Sequence, residues 1–213
     1  MIIAIDGPSG AGKSTVAKQL SKRLKIERID TGAMYRAFAY KFYKNNLEIT
    51  QENIDKLLED TDIDYIDGSV YLDGENVEAY IRNEQISKLS SNISKIQAVR
   101  TKMVELQRKI ASTKSVVLEG RDITTVVFPN AEFKFFITAS AETRAKRRYE
   151  ELKQKGENVI YEEILEDINK RDHSDTTREI SPLRIADDAI VLDTSESSID
   201  EVVDKLIDII YKK

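Results

Sequence analysis

The stretch that most narrows what this chain can become is GPSGAGKST at residues 7–15. It follows the short apolar run Met1-Ile2-Ile3-Ala4-Ile5 and a single Asp6, and it precedes Val16, Ala17, Leu20 and Leu24 at helical spacing. Residues 2–5 read as a buried strand from their length and β-branching, so the nine residues bridge a strand end and a helix start. Gly7, Gly12, Lys13 and Ser14 occupy the fixed positions of the phosphate-binding pattern G-x-x-x-x-G-K-[ST]. The glycines let backbone N–H groups converge on phosphate oxygens with no Cβ in the way, and the helix N-terminus adds its dipole. Lys13 suits the β- and γ-phosphates of a nucleotide, and the Ser14 hydroxyl can ligate Mg²⁺ together with those phosphates and waters. The expected donor site is therefore Gly7, Pro8, Ser9, Gly10, Ala11, Gly12, Lys13, Ser14 and Thr15.

Further short apolar runs follow at 116–118, 133–137 and 189–192, separated by helical patterning such as 141–155. Ile199, Val202, Val203, Leu206, Ile209 and Ile210 line one face of a last helix. Alternating strands and helices predict an α/β fold, a parallel sheet flanked by helices. One region breaks the rhythm. Asp67-Gly68 and Asp73-Gly74 lie between short runs (63–66, 70–72 and Val77) and predict the tight turns of a small antiparallel meander. A long helical stretch should follow, with Ile86, Leu89, Ile93, Ile96, Val99, Met103, Leu106 and Ile110 on one face. The reading is one domain over 1–213, with a core of about 1–36, 99–149 and 176–213 interrupted by an insert of about 37–98.

Composition removes several kinds of chemistry. The chain has no cysteine, which excludes disulfides, thiolate catalysis and cysteine-bound zinc. Its one histidine, His173, sits among Arg171, Asp172 and Asp175 and reads as solvated; it cannot build a multi-histidine metal site. A net charge of −5 speaks against general nucleic-acid binding. No run approaches the ~20 apolar residues of a membrane span, and the N-terminal run is too short for a secretory signal. A cytoplasmic protein with no membrane or nucleic-acid partner is expected, using carboxylates, arginines, a lysine and Mg²⁺.

A phosphate loop alone fits switches, motors and kinases. NKRD at 169–172 mimics the guanine-reading Asn-Lys-x-Asp of GTP switches, but it ends the charged amphipathic stretch 161–170 where the switch needs a buried strand. No Asp-x-x-Gly occurs in the chain either. The switch reading is rejected.

Three later stretches name an acceptor: DTGAMYR (30–36), GRDITTVVFP (120–129) and RDHSDTTREISPL (171–183). Each alone reads as solvated charge. In this order, with the phosphate loop, they resemble the bacterial cytidylate kinases, within the nucleoside monophosphate kinases, over essentially the whole chain. The resemblance implies transfer of the ATP γ-phosphoryl group to CMP and dCMP, giving ADP and CDP or dCDP. It implies that Arg36, Arg121 and Arg178 grip the acceptor phosphate and that Ser91, Arg100 and Asp122 read the cytosine edge. Arg171 and Asp175 would meet the sugar, and Thr31 would add a hydroxyl. Cytosine pairs an N4 donor with N3 and O2 acceptors, which suits a carboxylate beside an arginine or hydroxyl.

The same resemblance makes the insert a monophosphate-binding subdomain and about 150–175 a lid over ATP. Arg144, Arg147 and Arg148 share one helix face by spacing; Arg144 would stack on adenine and Arg148 would touch ATP phosphates. Catalysis falls to Lys13, Arg121, Arg171 and Arg178 as charge neutralisers. A CMP phosphate oxygen, mostly ionised at neutral pH, needs no general base. Two positions depart from the family: Glu119 stands where Asp is usual, and Thr124 where Gly is usual. A kinase of another small acceptor, or a nucleotide-dependent binding protein without transfer activity, remain the alternatives. The protein is expected to be a monomer.

Overall fold

A computed structural model describes residues 1–66 and 68–212. In chain order the first elements are β1 (Ile2–Asp6), α1 (Lys13–Leu24), β2 (Glu27–Asp30), α2 (Thr31–Lys44) and α3 (Gln51–Glu59). Then come β3 (Ile63–Ile66), β4 (Ser69–Leu72), β5 (Glu75–Asn76), α4 (Glu84–Ile93) and α5 (Gln97–Ala111). After β6 (Val116–Gly120) a π-helical turn, Ile123–Val127, leads to β7 (Phe133–Thr138). The chain closes with α6 (Ala141–Gln154), α7 (Tyr161–Thr177), β8 (Ile190–Asp193) and α8 (Ile199–Lys212). In one sheet β6, β1, β7 and β8 follow in that order, and a second has order β3-β4-β5.

The described chain forms two compact units, Met1–Ile26 with Val117–Lys213, and Glu27–Val116. In the first unit β1 runs parallel to β7, Ile3 opposite Phe133 and Asp6 opposite Phe136, and β7 runs parallel to β8. Alternate residues of a strand share a face. Ile3 and Ile5 of β1 therefore join Phe135 and Ile137 of β7 in one buried cluster with Val16 and Leu20 of α1 and Val202, Val203 and Leu206 of α8. These are the apolar positions that helical and strand spacing mark in the sequence. Fully burying each such side chain contributes about 1.5–3 kcal/mol, which fixes the β1–α1 corner where the phosphate loop hangs.

The second unit contains the expected meander. β3 and β4 pair antiparallel, Ile63 opposite Leu72 and Ile66 opposite Ser69, and β4 continues to β5 with Tyr71 opposite Asn76. Asp73 (φ 50°) and Gly74 (φ 82°) both adopt left-handed backbone, as a two-residue hairpin turn of type I′ requires. The other expected turn, Asp67-Gly68, lies partly outside the described residues.

Two expectations need correction. The single long helix over the residues from Ile86 to Ile110 is two helices, α4 and α5, broken at 94–96. The run Ser90-Ser91-Asn92 offers side chains that compete for backbone groups, and Ser94 Oγ donates to the Ser91 carbonyl at 3.0 Å. The apolar face survives the break, because Ile86, Ile93, Val99 and Met103 are all buried. Conversely, the helix expected to stop at Lys170 continues to Thr177. Its polar C-terminal part is held by ion pairs of Asp172 with Arg144 and of Asp175 with Arg121, which local periodicity cannot register.

Candidate active site

The phosphate loop starts where β1 ends. Gly7 has φ 147°, and a Cβ there would stand 1.9 Å from the Ile137 carbonyl oxygen of β7. Only glycine lets the loop leave the strand that close to its neighbour. Four of the loop carbonyls are taken up by the protein. Lys13 Nζ donates to Pro8 O (2.6 Å), Arg144 Nη1 to Ser9 O (3.1 Å), Thr194 Oγ1 to Ala11 O (3.1 Å), and Val16 N to Gly12 O (3.0 Å). Carbonyls held this way keep the negative ends of the peptide dipoles turned from an incoming phosphate. Lys13 is buried while Ser14 and Thr15 are exposed. Burial, reinforced by the charges of Arg121 and Arg171, holds the Lys13 ammonium well below the usual lysine range, against the pull of Glu119 and Asp6.

Asp6, which sequence reading passed over, connects this loop to the GRD segment. Its fully buried carboxylate accepts from Ile123 N (2.9 Å), Thr124 N (2.7 Å) and Thr124 Oγ1 (2.6 Å). Burial pushes its pKa up, and the three donations pull part of the way back. These bonds cap the π-helical turn that opens at Asp122, whose carbonyl accepts from Val126 N and Val127 N. Thr124 does not have positive φ among the described residues, and its hydroxyl supplies a bond that glycine could not make. The available signal was an acidic residue at the end of a buried strand, where an ionised group needs specific partners.

Several arginines of the first unit are tied to carboxylates. Arg121 Nε donates to Asp175 Oδ2 at 2.9 Å, and Arg178 Nη1 lies 3.9 Å from Asp175 Oδ1. Burial raises the Asp175 pKa, but Arg121, then Arg171 and Arg178, outweigh it and hold the carboxyl below its ordinary value. Arg171 itself is exposed, as is His173. Arg144 is buried and makes a two-bond fork with Asp172 (Nη1–Oδ1 3.0 Å, Nη2–Oδ2 2.6 Å), besides its hold on Ser9. Arg147 bonds the Thr194 hydroxyl and carbonyl, and so braces the residue that holds Ala11. Arg148 is exposed and bonds Glu151 at 3.0 Å. The three arginines expected on one face thus divide between two loop-bracing roles and one surface pair.

In the second unit Asp30 is the N-cap of α2, and Thr31 is buried in its first turn. Arg36 Nη2 donates to Asp30 Oδ2 at 3.0 Å. Arg100 is buried, donates through Nη1 to Ser94 O (3.0 Å), and lies 5.5 Å from the centre of the Tyr35 ring. Ser94 in turn bonds Ser91, so the α4–α5 corner brings Ser91 and Arg100 onto a common residue.

The residues present suit a small hard cation that keeps most of its waters and binds phosphate. Ser14 Oγ donates to Glu119 Oε2 at 2.6 Å, which places a hydroxyl and a buried carboxylate together beside the loop. Among the described residues no cluster of three or more His, Cys, Asp or Glu could hold a metal alone. One or two protein oxygens completed by nucleotide phosphates are what Mg²⁺ uses. Glu119, longer than the usual Asp, reaches this position. No helix among the described residues is long and apolar enough to cross a membrane.

Comparison with known proteins points the same way. Residues 3–212 match the family described as Cytidylate kinase. The chain is 51% identical to the cytidylate kinase of Caldicellulosiruptor bescii, with 99% of this chain and 95% of that protein covered. It is 53% identical to that of Carboxydothermus hydrogenoformans, with 100% and 98% covered. Among solved structures it resembles an uncharacterized protein from Eubacterium ventriosum (TM-score 0.56, 17% identity, 100% and 99% covered). It also resembles the shikimate kinase of Bacteroides thetaiotaomicron (TM-score 0.50, 13% identity, 99% and 98% covered). At such identities the likeness to the two solved structures is one of fold.

Proposed function

This chain belongs to the cytidylate kinase family, and from that premise we propose that it transfers the γ-phosphoryl group of ATP to CMP and dCMP with Mg²⁺. The observation that carries the reading lies at Lys13. Its ammonium lies within electrostatic reach of Arg121 and Arg171, which puts the donor lysine near one arginine proposed for the acceptor phosphate and one proposed for the sugar. Two polyanions must meet in line there, and clustered cations offset their repulsion.

Lys13 exchanges the Pro8 carbonyl for the donor phosphates, on a loop whose Ser9, Ala11 and Gly12 carbonyls are already engaged. Ser14 and Glu119 would hold the Mg²⁺, which supplies charge neutralisation on the transferring group. In the first unit Arg121 and Arg178 take the acceptor phosphate, Arg171 and Asp175 the sugar, and Asp122 the cytosine amino group. The second unit contributes Arg36 and Thr31 to the phosphate, and Ser91 and Arg100 to the base. The nucleophile is a phosphate oxygen with a pKa near ~6, so no base is needed, in keeping with the exposed His173. Arg144 and Arg148 serve the ATP side, about 150–175 acts as the lid, and about 37–98 as the monophosphate-binding insert. The protein works as a cytoplasmic monomer on small molecules, without nucleic acid or membrane.

A coupled assay of ADP release tests this. ADP should form with CMP or dCMP and stay near background without them. ADP formation independent of CMP, or a higher kcat/KM for another small acceptor, would overturn the reading.

A further inference from the structure

Three arginines of the second unit meet on one buried carboxylate. Asp30 Oδ1 caps α2 by accepting from Ala33 N (3.0 Å). Its Oδ2 accepts from Arg36 Nη2 (3.0 Å) and from Arg82 Nη2 (3.3 Å), and lies 3.6 Å from Arg28 Nη2. Arg82 comes from the segment between β5 and α4, 52 residues from Asp30. We propose that Arg82 is a further arginine for the acceptor phosphate, the second from this unit, held on the same carboxylate oxygen as Arg36; this rests on the CMP-kinase reading above.

Two guanidinium groups that donate to one oxygen stand within hydrogen-bond length of a common point. A phosphate monoester arriving beside Asp30 is reached by both. Each keeps donors to spare, since a guanidinium carries five N–H groups. Arg36 Nε is buried with no hydrogen-bond partner among the described residues. Glu78 holds Arg82 through Nε at 2.5 Å, and the Arg82 side chain is 46% exposed, so a solute can reach it.

Room for the cluster is written into the DTGAMYR stretch. A Cβ on Gly32 would stand 3.1 Å from Asp30 Oδ1 and 3.2 Å from Arg36 Nη1. Asp30 acts as the fixed counterion that keeps like charges together before substrate arrives. Burial raises its pKa, but Arg36, Arg28 and Arg82 outweigh this and keep it ionised. The phosphate, close to a dianion at neutral pH, then adds the negative charge that the arginines are gathered to receive.

Binding of CMP and of cytidine to the full chain separates this role from a structural cross-link. Arg82→Ala should weaken CMP about tenfold while cytidine stays within about twofold, and Arg82→Lys should recover part of the loss, because a point charge replaces a fork. The KM for ATP should not change. Equal losses for CMP and cytidine would overturn the proposal, because Arg82 would then only shape the unit. An undiminished preference for CMP over cytidine in Arg82→Ala would overturn it alone. A wild-type protein that binds cytidine as tightly as CMP would overturn the acceptor reading as well.

Discussion

The Ser14 hydroxyl and the Glu119 carboxylate, 105 residues apart, share a 2.6 Å hydrogen bond beside the phosphate loop. The carboxylate accepts from the hydroxyl that the loop pattern assigns to the metal, so it orients that oxygen and adds negative charge. Glu119→Gln keeps the size and removes the charge. The expected result is an increase of about tenfold in the Mg²⁺ concentration for half-maximal rate, the scale on which outer partners tune a metal site. The KM for CMP at saturating Mg²⁺ should stay within about twofold. An unchanged Mg²⁺ dependence would remove Glu119 from the metal site.

Asp122 tests the choice of base. A carboxylate accepts from the cytosine amino group but faces an acceptor when uracil is bound, leaving polar groups unpaired at about 1–3 kcal/mol each. Discrimination against UMP should therefore approach the ~10⁴-fold of sites built on a required hydrogen bond. Asp122→Asn, which can also donate, should narrow the ratio of kcat/KM for CMP over UMP by about tenfold or more. A ratio left unchanged would show that Asp122 does not read the base.

Asp172 holds Arg144 in place over Ser9. Breaking a buried pair costs about 3–5 kcal/mol; Asp172 is partly exposed, so about 2 kcal/mol is expected for Asp172→Ala. For a chain of this size that corresponds to a fall in Tm of about 4–8 °C. The KM for ATP should rise with it, because Ser9 loses its brace, while the KM for CMP changes less. Loss of Tm with both KM values unmoved would make the pair purely structural.

Asp175 gives a pH signature. Its folded-state pKa lies below the ordinary aspartate value of 3.8, so its contribution to stability is complete above that value. It is lost as pH falls through the folded-state value. The Tm of Asp175→Asn should therefore lie furthest below wild type near neutrality, with the gap closing in acid. Thermal unfolding of both proteins from pH 7 downward measures it; a constant gap would mean that charge on Asp175 contributes nothing.

Much of this protein is set by local pattern. The apolar spacing of Val16 and Leu20, and of Val202, Val203 and Leu206, specifies α1 and α8, because a helix buries one stripe whatever lies opposite. The β-branched run at Ile2–Asp6 and the loop that follows need only their own residues to form a strand, a turn and an N-terminus that draws phosphate. Asp73-Gly74 likewise carries its turn within two residues. Tertiary structure decided what depends on a distant partner. The polar run Ser90-Ser91-Asn92 just before the break between α4 and α5 was visible in composition, yet the continuous apolar face hid the break, since both helices bury the same stripe. Asp6 had no visible role until the fold brought Thr124 to it, 118 residues away. Arg144 carried the same sequence signal as Arg148, and only the approach of Asp172 from α7 turned one into a buried brace and left the other on the surface. Helical and strand periodicity reports which face of an element is buried. A charged side chain takes its role from the one partner it meets across the fold, and no periodicity encodes that partner.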